Sequence, residues 1–367
     1  MSHHAASSPA LMKTNSCTTS IGAFAPVQTN GGFRQSNFWV WGSSVIRASD
    51  GRYHMFASRV PRRLPFHPGW MIASEIVRAV SDTPEGPYAF QEVVLPARGS
   101  EYWDGRSTFN PKLIRWNNLY VLFYTGSTHP FEEVALNRES ELDMQSKWCI
   151  VGRSNKRVGV AVSEQIEGPW TRLDQPVLPT QANSFYSFLT SNPSPVVTED
   201  GRIKLIFKAR GYQGHQYGEM TIGLAEADDP RGPYRVLHGE PLFSAQRFGV
   251  IEDPYLWRDK EGYHLLAKDH RGNITGVEPG VGILAHSPDC LEWTLDQRPL
   301  AYTREVTWED GSTRHWGNME RVSALHDPSG RITHLFFAVW DDPGGYGFGN
   351  PTPTATAWNM AVALEHP

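Results

Sequence analysis

Cysteine is scarce. Three in 367 residues (Cys17, Cys149, Cys290) form no CxxC pair, which argues against both a disulfide framework and a cysteine zinc site. No apolar run approaches the roughly 18 residues that span a bilayer, so no membrane partner is expected. Nor is there an excess of positive charge. With 34 basic and 39 acidic residues the net charge is −5, which leaves no basic face for nucleic acid or anionic lipid. Nucleophile elbow, HExxH and Walker motifs are absent. The glycine-rich "GGYGFGN" at 344–350 follows a strand pattern but precedes no helix pattern, so it is not a phosphate cradle. The N-terminal "MSHHAASSPALMKTNSCTTS" lacks a basic segment followed by an apolar one and does not read as a signal peptide. A cytoplasmic location is expected, or a periplasmic or secreted one if a leader has been lost. Residues 1–20 read as a flexible arm.

What the chain does have is Trp (13), Tyr (13), Gly (33) and Pro (27). That is the composition of a β-rich protein with many turns. The tryptophans suit either a packed β core or a sugar-binding groove.

The order comes from an internal repeat. "GSSVIRASDGRYHMFASR" from Gly42, "NPKLIRWNNLYVLFYTGS" from Asn110, "NPSPVVTEDGRIKLIFKAR" from Asn192, "DPYLWRDKEGYHLLAKDH" from Asp253 and "ERVSALHDPSGRITHLFFAVW" from Glu320 each read as strand, turn, strand, a β-hairpin signature. A second motif follows: "VRAVSDTPEGPY" at 77–88, "VGVAVSEQIEGPW" at 158–170 and "IGLAEADDPRGPY" at 222–234, with looser copies in "GILAHSPDCLEW" and the terminal "NMAVALEHP". Here a small-residue strand meets a Gly-Pro turn and an aromatic opens the next strand. The unit is therefore about four strands, five times over, with starts spaced by 68, 82, 61 and 67 residues. Such a period implies an all-β fold, a five-bladed β-propeller, as one catalytic domain over 21–367. "IGAFAPVQT" near residue 21 is placed to supply the outer strand of the last blade. The insertion at 128–157 falls inside blade two, and its "FEEVALNRESELDMQSK" reads as one exposed helix.

In a propeller the first strand of every blade lines the axis, so equivalent positions converge. Aligned, they are Gly42, Asn110, Asn192, Asp253 and Glu320. Turn chemistry alone explains Asn-Pro and Asp-Pro. It explains Met319-Glu320-Arg321 poorly, which points to a site. "YWDGRSTFNPKLI" at 102–114 puts Asp104 six residues before Asn110, at the entry to an inner strand. Trp103 and Arg106 flank it as an aromatic platform and a cation, although Asp-Gly is also a common turn. His315 and Trp316 lie close before Glu320. Arg210 and His215 follow the blade-three hairpin, where a plain turn reads as well as a hydroxyl contact.

The hairpins, "SDTPEGPY", "SEQIEGPW", "NP", "EDP" and the late "MER" resemble the five-bladed propeller glycoside hydrolases, the superfamily of families 32, 43, 62, 68 and 117. The resemblance runs from about residue 36 to the end. Family 43 implies an aspartate base in blade one, a second aspartate that tunes and orients, and a glutamate acid. Gly42, Ser43 and Ser44 stand where that base belongs, which argues against an ordinary family 43 enzyme. Family 117, the 3,6-anhydro-α-L-galactosidases, implies an Asp, Asp, Glu or His set that Asp104, Asp253 and Glu320, with His315 nearby, match in order. It also implies an N-terminal arm that helps form a homodimer.

The expectation is an exo-acting hydrolase of oligosaccharides, a polysaccharide-degrading glycosidase. Glu320 is its acid, Asp253 tunes the acid, and Asp104 across the channel is the base. That placement leaves room for a water and implies inversion. Trp103 and Trp316 are expected to wall the pocket, and Arg106, Asn110, Asn192, Arg210, His215 and His315 to contact substrate. No cofactor is required. Calcium or magnesium near the axis fits the oxygen ligands available, but no spacing identifies a metal site. Two alternatives stay open: a non-catalytic carbohydrate-binding propeller, and a phosphorylase like those of family 130.

Overall fold

The computed structural model describes residues 21–346 and 354–365. The N-terminal arm, and with it the expected dimer contact, lies outside the described residues. Five four-stranded antiparallel sheets form the ring. Blade one comprises Phe38–Arg47, Tyr53–Pro61, Glu75–Ser81 and Ala89–Leu95. Blade two comprises Ser107–Trp116, Leu119–Ser127, Arg157–Ser163 and Thr171–Arg172. Blade three comprises Leu189–Val197, Ile203–Arg210, Thr221–Ala227 and Arg235–Val236. Blade four comprises Ile251–Asp259, Gly262–Asp269, Gly282–Ser287 and Thr294–Tyr302. Blade five takes Asn318–His326, Ile332–Trp340 and Ala357–Glu365 from the end of the chain. Its outermost strand, Ala23–Phe24, comes from the start and pairs with Leu364 and Glu365. The ring is thus closed by hydrogen bonds between the two ends of the chain, as the apolar run near residue 21 implied.

The core is a series of layers between blades. Val121, Phe123, Val158 and Val160 of blade two pack on Ile203, Leu205 and Phe207 of blade three, and Val40 and Met55 of blade one pack on Phe336 and Ala361 of blade five. Alternation along each strand sends one set of side chains to each neighbouring blade.

All five inner strands carry a bulge at the same place. The ladder steps from Trp41↔Ser58 to Ser43↔Ala57, from Phe109↔Thr125 to Lys112↔Phe123, from Ser191↔Lys208 to Ser194↔Ile206, from Glu252↔Lys268 to Tyr255↔Leu266, and from Glu320↔Ala338 to Ser323↔Phe336. The extra residue is left-handed each time: Gly42 (φ 64°), Asn110 (55°), Asn192 (48°), Asp253 (56°) and Arg321 (57°). Proline follows in three blades (Pro111, Pro193, Pro254), where an unpaired bulge needs no N–H. These five residues line a small axial cavity. Blade five therefore contributes Arg321 to the ring, and Glu320 stands one residue earlier, equivalent to Glu252, Ser191, Phe109 and Trp41. The sequence alignment slipped there because Val322 replaces the proline that marks the bulge elsewhere.

The ring is bonded side chain to side chain. Asn110 Nδ2 donates to Asn192 Oδ1 (2.8 Å), Asn192 Nδ2 donates to Asp253 Oδ1 (2.9 Å), and Arg321 reaches the same oxygen at 2.6 Å. The stem of Arg321 passes over Gly42, at 3.4 Å from where a Cβ would stand. Below the ring, Lys112 donates its ammonium to Val322 O at 2.8 Å. The axis is thus filled by Arg321 and Lys112. A divalent cation does not fit there, because a guanidinium already holds Asp253 and the two asparagines turn their amides toward their neighbours' oxygens. A separate group, Asp50, His54 and Glu167, brings three ligand atoms together. There, however, Arg52 pairs with Asp50 at 2.9 Å and Arg78 meets His54 at 3.1 Å.

The expected helix over 131–147 is displaced. A helix forms at Lys147–Ser154, preceded by irregular chain and one 3-10 turn at Glu139–Glu141. Trp148 and Cys149 supply its buried face, whereas Leu136 in the preceding segment is 75% exposed and offers nothing to pack.

Two outcomes test the axis. Asp253→Ala strands a buried guanidinium and is expected to cost about 3–5 kcal/mol, read by urea denaturation. Loss below about 1 kcal/mol would refute the ring's structural role. Burial lowers Lys112 from 10.5 to about 7, with Asp253 opposing the shift and Arg321 adding to it. Between those values the unfolded chain binds the proton more tightly, so stability rises with pH across that window. Lys112→Met should flatten the rise relative to wild type, in which burial shifts Lys156 and Lys208 the same way. An unchanged slope would exclude Lys112 as its source.

Candidate active site

One end of the axis gathers the carboxylates. Residues that precede the bulge project above the ring: Trp41, Phe109, Ser191, Glu252 and Glu320. Their cross-strand partners on the second strands, Ser58, Thr125, Lys208, Lys268 and Ala338, reach toward the next blade. Ser58 Oγ accepts the Asn110 N–H and Thr125 Oγ1 accepts the Asn192 N–H, both at 3.0 Å. In blades three and four the same position is lysine, and the contact becomes ionic. Lys208 pairs with Glu252. Lys268 Nζ lies 2.8 Å from Glu320 Oε1, 2.7 Å from Glu252 Oε2 and 3.7 Å from Asp253 Oδ2. The Glu252 and Glu320 oxygens are therefore no farther apart than those two contacts together, about 5.5 Å.

Both glutamates are buried, at 8% and 5% exposure. Glu320 is held on its far side by Tyr346, whose hydroxyl donates to Oε2 at 2.7 Å, and by Asn318 Nδ2 on Oε1 at 3.2 Å. His270 Nδ1 lies 3.4 Å from Glu252 Oε2. Burial pushes the Glu252 carboxyl up, but Lys208 and Lys268 hold it well below the usual range. Glu320 moves down as well: burial and Glu252 oppose the shift, while Lys268 and Arg321 drive it. One ammonium thus lowers the pKa of both carboxyl groups, the opposite of the raised pKa that an acid at Glu320 calls for.

Aromatic rings wall this end. Phe66 packs on Trp41 and Tyr346 (centroids 4.7 and 5.1 Å), and Trp70 on Phe109 (5.4 Å). The short turn Phe66–Gly69 brings in His67, whose ring lies 6.0 Å from that of Tyr346 and accepts the Trp70 Nε1 proton at 3.0 Å. Burial first, then Lys156 and Arg153, lower His67 to about 4 against the pull of Glu320. The axial cavity inside the ring and the cavity enclosed by Trp41, Phe66, Trp70, Phe109 and Tyr346 each hold only about 20 Å³, room for a water.

Of the residues singled out from the sequence, Asn110, Asn192, Asp253 and Glu320 come together here, with Arg210 at the edge. Asp104 does not join them. It is fully buried, ion-paired to Arg98 at 2.7 Å and Arg172 at 3.4 Å, and it accepts the Tyr124 hydroxyl at 2.7 Å. Those partners tie the entry loop to blade two. Trp103 stacks on Tyr124 and lies where side chains on Gly126 or Gly159 would collide with it. Trp316, 1% exposed, is packed against Trp308 and Trp358 in the blade-five core. Arg106 donates to Phe131 O at 3.2 Å, beside the blade-two insertion. His215 sits exposed at the tip of the Tyr212–Tyr217 hairpin, and His315 pairs with Glu278 at 2.9 Å on an exposed edge.

Glu252, Lys208, Lys268 and Tyr346 were missed. A signal existed for the first three: charged residues at one repeat position and at its cross-strand partner, in otherwise apolar strands.

Asp104→Ala should cost about 3–5 kcal/mol, because it leaves buried arginine charge uncompensated. Trp103→Ala should cost a similar amount through the cavity it leaves. Calorimetry measures both. A Trp103→Ala protein that melts like wild type but loses ligand affinity would restore Trp103 to the pocket.

No protein-family model and no curated protein sequence matches the chain. Solved structures do match in fold. A family 117 glycoside hydrolase of the marine bacterium Zobellia galactanivorans is 17% identical, with 93% of this chain and 89% of that one covered at a TM-score of 0.62. A thermostable family 43 glycoside hydrolase is 11% identical, with 94% of each chain covered at 0.60. A family 43 β-xylosidase/α-arabinofuranosidase from a compost metagenome is 12% identical, with 95% and 96% covered at 0.58. What chains so distant in sequence share is architecture, and the architecture of this chain is the five-bladed β-propeller.

Proposed function

We propose that the protein is an exo-acting glycoside hydrolase in which Glu252 and Glu320 are the reacting carboxylates. The observation that carries this reading is the pair itself: two buried glutamates at equivalent positions of adjacent blades, bridged by Lys268 within an aromatic-walled mouth. Glycoside hydrolysis needs one carboxyl group to protonate the leaving oxygen and another to attack or to activate water. The half-buried rings of Trp70 and Tyr346 suit the CH face of a sugar, and the axis below, with room for no more than a water, suits a terminal residue rather than a threaded chain. The distant structural relatives are themselves named as glycoside hydrolases.

The stereochemical expectation changes with the pair. Inversion rested on Asp104 across the channel from Glu320, and Asp104 is enclosed in blade two. The facing oxygens of Glu252 and Glu320 lie at most about 5.5 Å apart, which is too close for the water of an inverting site (~6.5–9.5 Å between carboxyl groups) and suits a retaining one (~5–5.5 Å). Glu252 then attacks the anomeric carbon. Glu320 protonates the leaving oxygen and afterwards takes a proton from the incoming water. Since Lys268 lowers the pKa of Glu320, substrate must move the ammonium off Glu320 before it can carry a proton. Burial and the Glu252 charge, which already push its pKa up, would then dominate. Tyr346 orients Glu320 throughout. A terminal sugar of the 3,6-anhydro-α-L-galactose type, implied by the resemblance to family 117, is the first substrate to test.

Glu252→Gln and Glu320→Gln are each expected to lower kcat about 10²–10⁴-fold on natural oligosaccharides, with folding unchanged by circular dichroism. On aryl glycosides with good leaving groups, Glu320→Gln should keep substantial turnover and Glu252→Gln should not. NMR of the first-formed sugar should show the anomer of the substrate. The opposite anomer, or full activity in either variant, would remove this pair. Affinity lost with no turnover detected for any glycoside would favour a binding propeller.

A further inference from the structure

Beside the two glutamates lie cations with no anion. Lys208, Lys268 and Arg321 each pair with a carboxylate. Lys156, Arg153 and Arg210 form no ion pair among the described residues, although Arg210 feels Glu252 and Glu219 at longer range. Lys156 directly precedes the third strand of blade two and is 5% exposed. Its ammonium makes only ring contacts, 4.3 Å from the Trp70 centroid and 5.9 Å from that of Phe109. Arg153, in the last turn of the helix Lys147–Ser154, stands 4.1 Å over Tyr217. Arg210, at the end of a blade-three strand, lies 5.2 Å from the same ring and donates to Gly218 O at 2.7 Å. After burial itself, the strongest influences on Lys156 are Lys208, Arg153, Arg321 and Arg210, all cationic, and together they lower its pKa well below the usual lysine value.

A desolvated ammonium among four like charges is unfavourable unless something negative joins it. For Lys208, Lys268 and Arg321 the chain supplies a carboxylate for that purpose. Here it supplies aromatic faces and nearby arginines, and arginine suits planar, multidentate contact with oxyanions. We propose that Lys156, Arg153 and Arg210 form an oxyanion subsite next to Glu252 and Glu320. The subsite takes a phosphate, sulfate or carboxylate group that takes part in the reaction. This rests on the glycosidase reading of the neighbouring pair and defines its substrate class. The anion has two sources. It is a substituent on the sugar, as in a uronide or a sulfate ester, or it is free phosphate replacing water. In the second case Glu252 bonds to the anomeric carbon as the glycosidic C–O bond breaks and Glu320 gives its proton to the departing oxygen, releasing an alcohol. A phosphate oxygen then bonds to the anomeric carbon as its bond to Glu252 breaks, and the second product is a glycosyl phosphate.

Binding is measured first, by calorimetric titration of the full chain with inorganic phosphate and with sulfate. One saturable site is expected. Lys156→Met and Arg210→Gln should each weaken it at least about tenfold, and the exposed Lys260→Met should not change it. Thermal melts check that each variant is folded. Should Lys156→Met fail to fold, Arg210→Gln and Arg153→Gln carry the test. No saturable binding by wild type, or binding unaltered in the variants, would overturn the proposal. The second arm uses turnover. Phosphate-dependent cleavage of a neutral aryl glycoside with release of glycosyl phosphate assigns the anion to the acceptor. Preference for aryl uronides or sulfated glycosides, inhibited by phosphate, assigns it to the sugar. Turnover indifferent to all these anions would overturn a role in the reaction. If no glycoside is cleaved but phosphate binds and Lys156→Met loses it, the glycosidase reading falls and the subsite stands.

Discussion

The bulge in the first strand of each blade is the constraint on which the rest depends. An uninterrupted strand would send alternate side chains to the two neighbouring blades and none to the axis. One extra left-handed residue turns the chain so that the residue before it rises above the ring and the residue itself points inward. Left-handed backbone is unfavourable for every residue but glycine, by about 1–2 kcal/mol, and least so for Asn and Asp. Gly42, Asn110, Asn192 and Asp253 follow that preference. Arg321 does not, and its strain is offset by the ion pair with Asp253. The hydrogen-bonded ring therefore holds its most strained member in place, and that member's guanidinium occupies Asp253, the one carboxylate of the ring.

Given the bulge, the site follows from strand pairing. The residue before each bulge faces a second-strand residue that leans toward the next blade. Where that residue is Ser58 or Thr125 it serves the backbone of the neighbouring bulge. Where it is Lys208 or Lys268 it serves a glutamate instead. One geometric position thus does structural work on one side of the ring and electrostatic work on the other. Glu252 and Glu320 share a lysine because they occupy the same position in consecutive blades.

What could be read from the sequence was whatever is local and repeated. Hairpins, the Gly-Pro turns, the blade count and the closing strand all announce themselves within about twenty residues. The inner ring was legible in four blades because Gly-Ser or a proline marks the bulge. It was misread in the fifth, where Met319-Glu320-Arg321-Val322 carries neither mark and a one-residue slip exchanges ring and rim. Asp104 was misread for a different reason. Closeness in sequence to an inner strand does not say on which side of that strand a loop is fastened. Arg98, Arg172 and Tyr124, which bind it, come from three separate segments. Lys156 gives no sign at all in sequence, where it is one basic residue among the charges of the 128–157 insertion. Only the assembled ring reveals that its neighbours are cations and tryptophan.

The charge at this mouth runs against that of the whole molecule. A chain with net charge −5 concentrates Lys156, Lys208, Lys268, Arg153, Arg210 and Arg321 around three carboxylates, Glu252, Asp253 and Glu320. Each carboxylate is already held by a cation, so the site's excess is positive. Those cations lower the pKa of Glu252 and Glu320, which opposes the proton donation proposed for Glu320. An anion bound beside Lys156 would reverse this. Added negative charge raises the pKa of nearby carboxyl groups, and it competes for the lysines and arginines that now depress Glu320. The anion and the proton on Glu320 are therefore linked through the same cations.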